Sequence, residues 1–128
     1  MPRFDFIGLV VNDMPTTLAF YRALGLDIPA EADAEGHVEV TLTGGFRLAW
    51  DTVAIVSSFD PAWTPPVGGH RASLDFLCST PAEVDVVYAG LAASGPYAHV
   101  PPFDAPWGQR YAVLHDPDGN AVALYAAL

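Results

Sequence analysis

Apolar and polar residues alternate along several separate stretches of this 128-residue chain. Alternation marks strands, because successive side chains of a strand point to opposite faces. Ile7, Leu9 and Val11 form one apolar set, and Leu74, Phe76 and Cys78 repeat it in the second half. Val38, Val40 and Leu42 form a third, Leu48 and Trp50 a fourth, Val122 and Leu124 a fifth. Two stretches change to helical spacing. Leu18, Tyr21 and Leu24 recur at that interval after Asp13, a side chain suited to cap a helix start. Thr80-Pro81-Ala82-Glu83 predicts a second helix through a capping box with proline in the first turn.

The pattern divides near its middle. Pro61, Pro65, Pro66, Gly68 and Gly69 interrupt the periodicity, so residues 54–69 read as a linker or long loop. On either side stand a module of about 1–53 and a module of about 70–128, within one domain. Each begins with an apolar strand and continues into a capped helix. Leu18 and Val84 each follow a proline by three residues. Gly45-Phe-Arg47-Leu-Ala49 also matches Gly108-Gln-Arg110-Tyr-Ala112. Two matches in order predict a duplicated β-α-β-β-β module.

The other strand parity carries the chemistry. It holds Phe4, Phe6 and Gly8; His37, Glu39 and Thr41; Arg47, Ala49 and Asp51; Arg71, Ser73 and Asp75; Ala121, Ala123 and Tyr125. A solvated face would hold few aromatics, and a core face would not hold these charges. A mixed lining of this kind suits a ligand cleft. A three-residue hairpin loop at Gly44-Gly45-Phe46 would place Glu39 opposite Asp51.

Composition narrows the partners. Five arginines, with no lysine, face 15 acidic residues, a formal charge of −10. That argues against nucleic acid, whose phosphates need basic partners, and permits a cationic ligand. No apolar run reaches the roughly 20 residues of a membrane span. The opening MPRFDFIGLVVND has no cleavage site behind a basic leader, so no signal peptide and a cytoplasmic location are expected. A single cysteine, Cys78, leaves no internal disulfide and no multi-thiolate zinc site. It lies on the apolar parity, as an inert core thiol would.

Three segments carry a family likeness: Ile7-Gly-Leu-Val-Val-Asn-Asp13, Leu18-Ala-Phe-Tyr-Arg-Ala-Leu-Gly-Leu26 and Asp116-Pro-Asp-Gly-Asn120. With them in order, the chain resembles the vicinal oxygen chelate superfamily. Trp107-Gly-Gln-Arg-Tyr-Ala112 resembles its glyoxalase-like and bleomycin-resistance-like branch. The resemblance implies an α+β fold in which two βαβββ modules form a cup-shaped mixed sheet with helices on its outer face. It also implies four metal positions, falling at Phe6, near Ala49, near Ser73 and at Ala123. Phenylalanine and alanine cannot coordinate an ion, and serine is a poor ligand. No cofactor or metal is therefore expected. His37, Glu39 and Asp51 are the alternative ligand set for a displaced cation site.

DPDGN has its own physical logic. Pro117 presets a turn, Gly119 accepts positive φ, and aspartates accept local backbone N–H groups. Asp116, Asp118 and Arg110 thus read as structural, and His115 as a packed or exposed histidine. No nucleophile elbow or phosphate-cradling glycine loop is present.

The expected function is metal-independent binding of a cationic or aromatic small molecule, such as an antibiotic held without turnover. The expected site is Phe6, Glu39, Asp51, Asp75, Trp63, Trp107 and Tyr125, with Arg47 and Arg71 balancing charge. Tryptophan faces stack on rings and attract cations. A homodimer is expected. A metal-dependent lyase or dioxygenase with displaced ligands is the alternative, and an accessory domain without a small ligand is the third reading.

Overall fold

The computed structural model describes residues 1–128. The chain is α+β and separates into two compact units, Met1–Val67 and Gly68–Leu128.

The first unit runs β1 (Phe6–Val11), α1 (Met14–Ala23), a short 3₁₀ turn (Ala30–Ala34), β2 (His37–Thr41), β3 (Arg47–Thr52) and α2 (Val53–Phe59). Its three strands lie in the order β1-β3-β2, with β1 parallel and β2 antiparallel to β3. Asp13 caps α1 by accepting the Thr16 N–H at 3.1 Å. The helix lays Leu18 and Tyr21 onto the sheet, where the Tyr21 ring meets Trp50 at 5.2 Å. Leu18, Tyr21 and Trp50 are fully buried, each contributing roughly 1.5–3 kcal/mol of apolar transfer. After the helix, Arg22 donates to the carbonyls of Ile28 and Pro29 and pairs with Asp33, which ties the connecting segment to α1.

The second unit runs β4 (Ser73–Leu77), α3 (Pro81–Ser94), β5 (Ala98–Ala105), β6 (Gln109–His115) and β7 (Ala121–Ala127). The order is β4-β7-β6-β5, with β4 parallel to β7 and the other pairs antiparallel. The predicted cap forms with its return bond shifted by one residue: Thr80 Oγ1 accepts the Glu83 N–H at 3.1 Å, and the Glu83 carboxylate accepts the N–H of Ser79, the residue before the cap, at 2.6 Å. Val84, Tyr88 and Leu91 form the buried stripe of α3, and Leu114, Val122 and Leu124 are buried on the sheet. Arg110 on β6 donates to Asp85 on α3 at 2.9 Å and to Asp104 on β5 at 3.1 Å.

Four expectations change in detail. First, only the second unit is βαβββ. In the first unit the 3₁₀ turn stands where the second has its edge strand β5. Second, the shared Gly-x-Arg-x-Ala pattern falls on β3 and β6, which are not equivalent. β3 is the parallel neighbour of the unit's opening strand, as β7 is in the other unit, whereas β6 is one strand further away. Third, α2 occupies part of the expected linker. The prolines begin only after it ends, Thr52 caps it, and Val56 is its buried residue. Fourth, the β2–β3 hairpin turns one residue earlier than predicted. Gly44 and Gly45 have φ of 91° and 89°, and the Gly45 N–H donates to Leu42 O at 2.9 Å. The pairing therefore slides by two: Glu39 faces Ala49, and His37 faces Asp51. A slide of two residues leaves every side chain on its predicted face.

Candidate functional site

On the first unit, register alone groups the charged parity. Phe6 lies beside Arg47, Arg47 beside Thr41, and Ala49 beside Glu39, so one sheet face carries them all. These charges are already paired. Arg47 donates to Glu39 at 2.7 Å and to Asp5, and its guanidinium carbon lies 4.9 Å from the Phe6 ring centroid. His37 sits between two carboxylates, with Nδ1 2.6 Å from Asp51 and Nε2 3.2 Å from Glu39. These bonds, Asp51 first, raise the pKa of His37 above that of a free imidazole. The bonds from His37 and Arg47 lower that of Glu39. Both nitrogens of His37 are engaged, so neither aims a lone pair at an ion.

On the second unit the same parity is aromatic and only sparsely charged. Asp75 on β4 lies beside Ala123 on β7, and Ala123 beside Val113 on β6. One step along each strand pair, Leu77 lies beside Tyr125 and Tyr125 beside Tyr111. Phe103, Trp107 and Tyr111 meet edge to face with centroids 5.4–6.1 Å apart, a favoured aromatic geometry. Trp107 is 59% exposed, and its indole N–H donates to Gln109 at 2.8 Å. Asp75 accepts the Ser73 hydroxyl at 2.6 Å. Burial, and then the Asp75 charge, push the Tyr111 phenol above its usual pKa.

Three expected residues belong to the second unit, namely Asp75 and Tyr125 on the sheet face and Trp107 in the ring cluster, and four gather on the first unit: Phe6, Glu39, Arg47 and Asp51. Trp63 is half-buried in the segment after α2, where its backbone N–H donates to Asp60 O. Arg71 is exposed just ahead of β4. Tyr111 and Phe103 join the second-unit cluster although the expected set omitted them. The alternation Tyr111-x-Val113-x-His115 was the available signal for β6.

The DPDGN turn is structural. Asp116, 3% exposed, accepts the backbone N–H groups of Asp118 and Asn120 and the Asn120 side-chain amide, each at 2.9 Å. Cys78 is buried, and burial pushes its thiol pKa up, away from reactivity.

The register also tests the family's metal positions. Phe6 and Ser73 open equivalent strands, and Ala49 and Ala123 lie two residues into their parallel neighbours. The four positions are thus equivalent in pairs. They offer one serine hydroxyl and no imidazole, thiolate or carboxylate, a donor set that does not fit a divalent metal.

The family model described as Glyoxalase/Bleomycin resistance protein/Dioxygenase superfamily matches residues 3–124. Among solved structures, a glyoxalase/bleomycin resistance protein/dioxygenase family enzyme from Burkholderia phytofirmans is similar with a TM-score of 0.81 at 19% identity, over 97% of this chain and 98% of that one. A glyoxalase-related enzyme from Fulvimarina pelagi gives 0.79 at 21% identity, over 98% and 88%. A protein from Agrobacterium tumefaciens gives 0.74 at 28% identity, over 100% and 99%. At 19% and 21% identity the first two likenesses speak of fold alone. No curated protein matches the sequence.

Proposed function

Because the chain belongs to the glyoxalase/bleomycin resistance protein/dioxygenase superfamily, we propose that it is a metal-independent member that binds an aromatic or cationic small molecule and releases it unchanged. An antibiotic carrying a positively charged ring system is the expected kind of ligand. The observation that supports this reading is the aromatic cluster of Phe103, Trp107 and Tyr111, which shares a sheet face with Asp75 and Tyr125. Ring faces supply stacking and cation–π attraction, and the carboxylate supplies the opposite charge. The alanines at 49 and 123 leave the family's metal positions without donors.

Glu39 and Asp51 support the reading less than Asp75 does. Arg47 and His37 already hydrogen-bond to them, and a cation would have to displace those partners. The expected homodimer belongs to the same proposal, and sedimentation of the purified chain tests it. No helix is long and apolar enough to cross a membrane.

Titration with benzyltrimethylammonium, read by tryptophan fluorescence, tests the binding reading. Saturable quenching that is lost in Trp107→Phe supports it. No change with that probe or with a neutral aromatic amide overturns it. So does near-stoichiometric zinc, nickel, manganese or iron that co-purifies with the chain and is required for turnover.

A further inference from the structure

Three histidines from separate segments of the second unit come together. His115 ends β6 on the face that carries Tyr111, His99 stands on β5, and His70 lies in the segment ahead of β4. The rings of His99 and His115 stack, with centroids 4.0 Å apart and planes 25° from parallel. His70 meets both edgewise, at 6.4 Å and 5.7 Å. A register shift between Ala98 and Val100 accompanies this arrangement, and such bulges re-aim side chains.

One atom in the cluster lacks a partner. His115 Nε2 is buried and makes no hydrogen bond. Buried polar atoms are nearly always paired, so an unpaired one among clustered rings calls for an explanation, and a bound group is one. Asp116 is not that partner, since its carboxylate is committed to the turn. A transition metal is a poor match. Coordination needs in-plane lone pairs that converge on one point, which near-parallel rings do not provide. No group of three or more histidine, cysteine or acidic side chains is arranged to hold an ion.

An acceptor suits the cluster better, because each protonated imidazole presents two N–H donors. We propose that His70, His99 and His115 form a subsite for a small oxyanion, a carboxylate or phosphate group. It rests on separate residues from the aromatic site and stands if that reading fails. The arriving negative charge offsets the repulsion among the rings, so the anion docks together with a proton. Burial chiefly, then His99 and His70, hold His115 below the usual imidazole pKa, with Asp116 acting in the opposite sense. The titratable groups around it are therefore His99 from β5, His70 from the preceding segment and Asp116 from its own turn. Asp75, on β4, lies two strands and two residues away, roughly 12 Å between Cα positions at ordinary strand spacing.

Histidine ring signals of the full chain, followed by NMR from pH 5 to 8, test the subsite. Inorganic phosphate, acetate, 4-phenylbutyrate and neutral 4-phenylbutanamide are added in turn. The expected result is a higher titration midpoint for His115 with the anions and none with the amide. Anion affinity should improve as pH falls, by at most about tenfold per pH unit, the limit for one proton taken up. His99→Gln should flatten that dependence. If acetate or phosphate binds as well as 4-phenylbutyrate, the subsite takes free anions. Tighter binding of 4-phenylbutyrate assigns the anion to a ring-bearing ligand. Anions that leave all three midpoints unchanged overturn the subsite, as does saturable zinc binding by the same rings. Fluorescence quenching by the amide reports on the aromatic site alone, which separates the two failures.

Discussion

The two units open alike and diverge in what their matching faces hold. Each begins with a strand whose parallel neighbour is the unit's last strand, and each places a capped helix after the first strand. In the first unit, that face is a closed charge network of Asp5, Glu39 and Asp51 against Arg47 and His37. In the second it is Asp75, with a serine hydroxyl, on the face that carries Tyr111 and Tyr125. A count of acids would rank the first unit as the better cation site. The geometry reverses that ranking, because a carboxylate already paired with a cation gains little from a second one.

The turn at the end of β6 gives the largest expected effect. Asp116→Ala would leave three buried or half-buried donors without an acceptor and should cost about 3 kcal/mol, read by urea unfolding. A loss below about 1 kcal/mol would show that the turn does not depend on this carboxylate. Next comes the aromatic cluster. Tyr111→Leu should weaken benzyltrimethylammonium binding by about 1–2 kcal/mol in a calorimetric titration, with the fold intact by circular dichroism. Equal affinity would remove the ring from the site.

The contrast between units is sharpest for the acids. Asp75→Asn should weaken the same probe several-fold and reduce its salt dependence, whereas Glu39→Gln should leave affinity unchanged. The opposite pattern would move the site to the first unit. The smallest effect belongs to His37. Its pKa is raised in the fold, so its contribution to stability is complete below the ordinary imidazole pKa. That contribution fades as pH rises through the higher folded value. With the side chain 45% exposed, the contribution should stay below about 1 kcal/mol. Thermal unfolding of His37→Gln should therefore differ from the parent at pH 5.5 and approach it at pH 8.5. A difference that is independent of pH would refute the linkage.

Much of the fold is legible in local pattern. Alternation places Leu48, Trp50, Val122 and Leu124 in the core because a strand has only two faces. Asp13 and Thr80 announce their helices because the orphan N–H groups of a helix start need an acceptor. The missing edge strand of the first unit is not legible in the same way, since a short 3₁₀ turn and a short edge strand look alike in sequence. The hairpin slide escaped because adjacent glycines at 44 and 45 suit more than one turn position. The likeness of Gly45–Ala49 to Gly108–Ala112 is a false guide, because residue identity says nothing about which strand is whose neighbour.

The candidate site divides similarly. The loss of donors at Phe6, Ala49, Ser73 and Ala123 is a matter of side-chain chemistry, and the amino-acid order alone determined it. So are the charge of −10, the two capped helices and the face on which each strand residue lies. Which acids are already paired, and which histidines stack, only the tertiary structure decided. Asp5 and Arg47 are far apart in sequence, and His70, His99 and His115 come from three segments. The physical reason is range: capping and alternation act within a few residues, whereas charge pairing and ring stacking depend on strand register, which only the assembled sheet sets.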